Sequence, residues 1–188
     1  MEPINIIIYA SIYLGIVATV FYALSYSALK KRKELLFSDE ELPFVSVLIP
    51  AWNEEETIEK TVDSIMASNY HDFEVIVIDD GSRDNTFKIA KSLEKKYSRL
   101  KVYHKENGGK ASALNLGIEK AKGDFVFTMD ADTYAHPDSM TKMVRYFKDE
   151  RVMCVSPAML VYKPKTIFQR IQQTEYLLGL FLRKAFSA

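Results

Sequence analysis

This 188-residue chain has one cysteine, one tryptophan and no net charge. A single Cys154 excludes an intrachain disulfide. Inside the apolar run Val152-Met153-Cys154-Val155 it reads as a buried, inert thiol, in keeping with a reducing compartment. Twenty-five basic residues balance 25 acidic ones, so the basic footprint that nucleic acid demands is missing and no nucleic-acid partner is expected. Two glycine signatures are absent as well: no G-x-G-x-x-G follows the first strand, and G-x-x-x-x-G-K-[ST] occurs nowhere. The chain has no internal repeat and no low-complexity tract. With 48% hydrophobic and 27% charged residues it is a folded protein, and about one domain remains once a membrane segment is set aside.

That segment is defined by another absence. From Ile4 to Leu29 there is no charged residue, and roughly 20 apolar residues suffice to cross a bilayer. Lys30-Lys31-Arg32-Lys33 follows at once, while only Glu2 and the terminus precede it. A cleaved signal has the opposite polarity and a shorter apolar stretch. Residues 1–33 therefore read as one transmembrane helix with its basic flank. The positive-inside rule sets the amino terminus outside and all that follows Lys30 in the cytoplasm, single-pass in the cell (plasma) membrane.

After a charged linker at 34–43, residues 44–163 carry the two-beat rhythm of an α/β domain. Apolar runs at Val45–Ile49, Phe73–Ile78, Leu100–His104, Phe125–Met129 and Val152–Leu160 predict strands. Between them lie helical spacings at about Glu54–Ala67, Asp84–Tyr97 and Lys110–Ala121, and Pro137 suits the first turn of a helix running to about Lys148. Such alternation predicts a mainly parallel sheet with helices on both faces. Residues 164–188 form an amphipathic helix, apolar at Ile167, Phe168, Ile171, Leu178, Phe181 and Leu182. It either packs on the sheet or lies in the membrane interface.

Four polar clusters fall at the carboxyl ends of these strands, where open α/β sheets place their ligands. The first is Pro50-Ala51-Trp52-Asn53-Glu54-Glu55, an aromatic beside a helix start; Asn53 reads equally as a plain N-cap. The second, Asp79-Asp80-Gly81-Ser82, is either a simple Asx turn or an acid presented to a base or ribose. In the third, Glu106-Asn107-Gly108-Gly109-Lys110, two glycines precede a helix whose first lysine suits a diphosphate. The fourth is Asp130-Ala131-Asp132: in an extended segment two acids one residue apart face the same side. Such a pair holds a hard divalent cation that completes its coordination with water and substrate phosphates. Together these clusters describe a nucleoside-diphosphate site with a metal.

With Val45-Ser46-Val47-Leu48-Ile49-Pro50-Ala51-Trp52-Asn53-Glu54, Asp79-Asp80-Gly81-Ser82, Asn107-Gly108-Gly109-Lys110 and Asp130-Ala131-Asp132 in that order, the chain from about residue 43 onward resembles the inverting family 2 glycosyltransferases of GT-A (Rossmann-like) fold. Within them it is most similar to the membrane-embedded processive synthases of hyaluronan, chitin, poly-N-acetylglucosamine and cellulose. The resemblance implies a UDP-sugar donor, with UDP-GlcNAc or UDP-glucose foremost, and a growing polysaccharide or lipid-linked acceptor. It implies that Pro50, Trp52 and Glu54 border the uridine, that Asp80 contacts the uracil and that Lys110 neutralises the diphosphate. Asp130 would contact nucleotide and metal, and Asp132 would ligate Mg²⁺ or Mn²⁺. The family's general base sits in a later Thr/Ser-Glu-Asp motif, followed by Gln-x-x-Arg-Trp. Neither occurs in these 188 residues, since Trp52 is the only tryptophan and Thr174-Glu175 is followed by Tyr176. The resemblance therefore implies a donor-binding half, from a truncated gene or a split one whose second polypeptide supplies the rest. A polyprenyl-phosphate sugar transferase and a non-catalytic nucleotide-sugar-binding subunit remain as alternatives.

Overall fold

The computed structural model describes residues 3–31, 37 and 42–186, and most of the linker lies outside the described residues. The chain divides into two compact units, one made of Met1–Glu34 with Ala158–Ala188 and the other of Leu35–Pro157. The first contains two helices, α1 (Pro3–Lys31) and α6 (Ile167–Phe186), which touch each other. Within α1 the apolar stretch Ile4–Leu24 runs for 21 residues, none of them buried. At 1.5 Å per residue that is about 30 Å, the thickness of a bilayer's hydrocarbon core. Ile167, Phe168, Ile171 and Leu178 of α6 are also exposed. Helix α6 belongs to the same compact unit as α1.

The second unit runs β1 (Val45–Ala51), α2 (Ile58–Met66), β2 (Phe73–Asp80), α3 (Thr86–Lys96), β3 (Leu100–Lys105), α4 (Lys110–Lys120), β4 (Phe125–Thr128) and α5 (Ser139–Val144), which tightens into a 3₁₀ turn at Arg145–Lys148. All strands pair parallel, in the order β3-β2-β1-β4. Because both faces are covered, β1 and β2 read as continuous apolar runs instead of alternating ones. On one face Val45, Val47, Ile49, Val75 and Val77 pack with Ile58, Val62 and Ile65 of α2 and Ala90 and Leu93 of α3. On the other, Leu48, Ile76 and Ile78 meet Ala113 of α4. Gly117 lets α4 lie close there: a Cβ would stand 2.9 Å from Ile78 and 3.1 Å from Leu48.

Several expectations need correction. Helix α2 begins at Ile58, four residues later than the periodicity suggests; the residues before it form turns, with the Glu54 and Glu55 N–H groups bonded to Thr86 and Asp84. Pro137 precedes α5 instead of opening it, and its carbonyl accepts the Asn69 N–H. The strand expected at Val152–Leu160 does not form. Met153 is 86% exposed, Met159 and Leu160 are exposed, and Cys154 is exposed instead of buried. An apolar run becomes a strand only where another strand takes its N–H and C=O groups, and among the described residues β4 pairs with β1 alone.

Candidate functional site

The strand order creates the site. The chain lays down β1, β2 and β3 outward in one direction, then returns to add β4 on the other side of β1. Order reverses at β1, and the crevice between the β1 and β4 loops is the place where such sheets bind ligands. The β1–β4 ladder ends at Leu48–Thr128, so Ile49–Ala51 extend past β4 and open that crevice. A cavity of about 460 Å³ lies there. Its wall includes Pro50, Trp52, Glu54, Asp80, Lys110, Asp130 and Asp132, so all seven residues singled out from the sequence meet in one place. Asn107 and Gly109 of the glycine loop complete much of the remainder.

Trp52 is 54% exposed at this wall. Its neighbour Asn53 is not an N-cap: it holds a left-handed backbone, φ 54°, which asparagine tolerates better than most residues. The conformation is locked by the loop after β2. Asn53 N–H donates to Ser82 Oγ at 2.9 Å, Asn53 Oδ1 accepts the Arg83 N–H at 2.9 Å, and Glu54 N–H donates to Thr86 Oγ1 at 2.7 Å. Glu55 N–H donates to Asp84, and Glu55 Oε2 accepts from Asn85 N–H and Nδ2. Two loops thus behave as one ledge. Burial pushes the Asp84 carboxyl up, but hydrogen bonds from the Thr86 hydroxyl and N–H and the Glu55 N–H outweigh it and hold the group below its ordinary range.

Asp80, at the end of β2, is almost fully buried. Its Oδ1 accepts Lys105 Nζ at 2.7 Å and Gly108 N–H at 3.0 Å, and its Oδ2 accepts Gly109 N–H at 2.7 Å. Burial again pushes the carboxyl up, and the lysine and the two glycine amides more than reverse it. Asn107 Nδ2 donates to the Asp80 carbonyl at 2.9 Å. Gly81 is required beside it: with φ 71°, a Cβ there would come within 2.7 Å of Asn107 N. The glycine loop is therefore built onto the end of β2, and it delivers Lys110 to the cavity at the start of α4. Asp79, on the opposite face, is fully buried and pairs with His104 Nδ1 at 2.6 Å. Lys105, His104 and the Asn53–Thr86 ledge escaped the sequence reading. The available signal was the pairing register, which sets the two acids ending β2 opposite the two bases ending β3, Asp79 to His104 and Asp80 to Lys105.

Asp130 and Asp132 lie in a turn just after β4, not in the strand itself, yet the expected alternation holds: both acids are exposed and Ala131 between them is buried. Ala131 is pinned inward by its carbonyl, which accepts Thr61 Oγ1 at 2.7 Å. Lys110 Nζ bonds to Asp130 Oδ1 at 2.5 Å. Among the described residues no group of three or more His, Cys, Asp or Glu forms a closed metal cage. Two exposed carboxylates on a cavity wall fit a hard cation such as Mg²⁺ or Mn²⁺ that takes its other ligands from water and a diphosphate.

Residues 46–187 match the family model described as Glycosyl transferase family 2. Poly-beta-1,6-N-acetyl-D-glucosamine synthase of Staphylococcus aureus (strain COL) is 33% identical over 179 residues, covering 94% of this chain and 43% of that protein. The Staphylococcus epidermidis synthase of the same name is 30% identical over 181 residues, covering 94% and 44%. The chain thus spans less than half the length of the curated relatives it matches. Among solved structures, the mannosyltransferase PcManGT from Pyrobaculum calidifontis, in complex with GDP-Man and Mn²⁺, superimposes with TM-score 0.63 at 28% identity, covering 74% of this chain and 43% of that one. S. aureus TarS in complex with UDP-GlcNAc superimposes with TM-score 0.52 at 27% identity, covering 64% and 38%. With a GT-A-like parallel sheet, the strand-end motifs in order and the family model matched over three-quarters of its length, the chain belongs to glycosyltransferase family 2.

Proposed function

We propose that this chain binds the donor of a membrane-anchored, metal-dependent glycosyltransferase that moves a sugar from a UDP-sugar, UDP-GlcNAc or UDP-glucose, to a growing polysaccharide or glycolipid. One observation carries the reading: an aromatic, a buried carboxylate, a lysine and two exposed carboxylates, spread over 80 residues of sequence, line a single cavity at the reversal point of the sheet. Trp52 offers a face for the base, and Asp80 an acceptor for a base N–H. Lys110 meets the diphosphate and offsets the charge that grows on it as the sugar departs. Asp130 and Asp132 would hold Mg²⁺ or Mn²⁺, which when bound acts as a Lewis acid toward the leaving diphosphate. The names of the synthase relatives and the UDP-GlcNAc in TarS support the donor, and the Mn²⁺ in PcManGT supports the metal.

Calorimetric titration of the whole chain in detergent tests this. UDP and UDP-GlcNAc should bind with Mn²⁺ and lose most of their affinity in EDTA; affinity unchanged by EDTA would remove the metal from the reading. The anchor is tested separately. With α1 crossing the bilayer and Lys30–Lys33 inside, a reporter fused after Ala188 should be cytoplasmic, and a cysteine introduced near the amino terminus should react with an impermeant label from outside. A reporter found outside would separate the site from cytoplasmic nucleotide sugars.

A further inference from the structure

Lys105 does not line the cavity, yet it decides what Asp80 has left to offer. An ionised carboxylate has about four lone-pair sites, two on each oxygen. On Asp80, Oδ1 already accepts twice, from Lys105 Nζ and Gly108 N–H, and Oδ2 accepts once, from Gly109 N–H. One site remains, on Oδ2. Donors on both oxygens fix the plane of the carboxylate, and the Asp80 main chain beneath it is held by Asn107 Nδ2 on its carbonyl.

We propose that Lys105 is a positioning residue that sets base preference: by filling Oδ1 of Asp80 it leaves a site for a base with a single N–H donor and refuses one that needs both carboxylate oxygens. This rests on the reading of Asp80 as the acid that faces the base. Uracil presents one N3–H between two carbonyls, which a single lone pair satisfies. Guanine presents N1–H and N2–H side by side, and a carboxylate takes both only by giving one oxygen to each. With Oδ1 full, one guanine donor is left buried without a partner, which is the costly outcome for any hydrogen-bonding group. Lys105 is held for this task by the parallel register of β2 and β3, which sets it directly opposite Asp80. Its side chain is mostly covered, so the pair is not a loose surface contact.

The test is titration of the whole chain in detergent, at saturating Mn²⁺, with UDP, GDP and the diphosphate of N3-methyluridine, which lacks the donor. UDP should bind at least about tenfold more tightly than either of the others. In Lys105→Met the UDP-to-GDP ratio should collapse toward one, and Lys105→Arg, which keeps a cation on Oδ1, should restore most of it. A lysine with a merely structural role would weaken UDP and GDP alike and leave the ratio unmoved; that result, in a variant melting as a folded protein, overturns the assignment. If Lys105→Met does not fold, the parent chain and Lys105→Arg carry the test. Equal binding of GDP or of the N3-methyl analogue by the parent chain overturns the inference while leaving the donor site standing. No binding of any nucleotide overturns the donor-site reading, and the inference with it.

Discussion

The cavity has two walls, and their carboxylates live under opposite conditions. Asp80, on the β2–β3 side, is 3% exposed, accepts three hydrogen bonds and holds a loop in place. Asp130 and Asp132, on the β4 side, are exposed; one meets the exposed end of Lys110 and the other the neighbouring Thr133 hydroxyl. A buried carboxylate needs hydrogen-bond partners to offset its desolvation, and Asp80 has three of them before any ligand arrives. Exposed carboxylates keep their lone pairs for water and can exchange that water for a cation. One wall is therefore preorganised by its hydrogen bonds, and the other is open to solvent.

The sharpest way to break this contrast is to remove the buried acid. Asp80→Ala strips partners from the Lys105 ammonium and two glycine amides at once. Loss of one member of a buried, hydrogen-bonded charge pair should cost about 3 kcal/mol, or roughly 10 °C in Tm for a domain of this size. Thermal melts followed by circular dichroism read it directly, and nucleotide binding should fall together with stability. A variant that melts with the parent chain would show that Asp80 is not architectural.

The second substitution should do the reverse. Asp132→Asn removes a charge from an exposed turn, where changes in stability stay within about 0.5 kcal/mol. The Mn²⁺-dependent part of UDP affinity should nevertheless drop on the order of 100-fold, since several kcal/mol of charge stabilisation depend on the cation. Measuring the melt and the titration on the same preparation separates the two walls. An Asp132→Asn chain that is unstable, or that still shows a full Mn²⁺ effect, would erase the distinction.

How much of this was legible in the sequence follows the same division. The open wall was legible almost completely. Asp130, Asp132 and Lys110 are exposed groups whose placement depends on local spacing and strand ends, and all three line the cavity. The sheet was legible too, because β1 and β2 are buried on both faces and therefore read as unbroken Val, Ile and Leu runs. The preorganised wall was only half legible. Asp80 stood out, but Lys105 and the Asn53–Thr86 ledge depend on cross-strand register and loop-to-loop bonds over about 30 residues, which no local pattern carries. Residues 152–160 show the opposite error. Their apolarity states a demand for burial without naming a partner, and among the described residues none is met.

The smallest expected effect is an acid-dependent one, and it too separates the walls. The folded-state carboxyl of Asp80 lies below its ordinary value of 3.8, because Lys105 and the glycine amides outweigh the burial that would raise it. A depressed folded pKa contributes stability that is fully present above the unfolded value and is lost as pH falls through the folded one. The contribution should therefore be constant from pH 7 to about 5 and disappear progressively below about pH 4. Asp84 is shifted in the same direction, so some acid loss persists without Asp80. The informative quantity is the difference between the parent chain and Asp80→Asn, whose amide cannot titrate. The gap in Tm between the two should be widest and flat near neutral pH and narrow as the solution is acidified below about pH 4, because the parent chain then loses the charge that the variant never had. A gap that stays constant down to pH 2 would mean that the ionised form of Asp80 adds nothing beyond its shape, and that the glycine loop is held by contacts independent of that charge, such as the Asn107 bond to the Asp80 carbonyl.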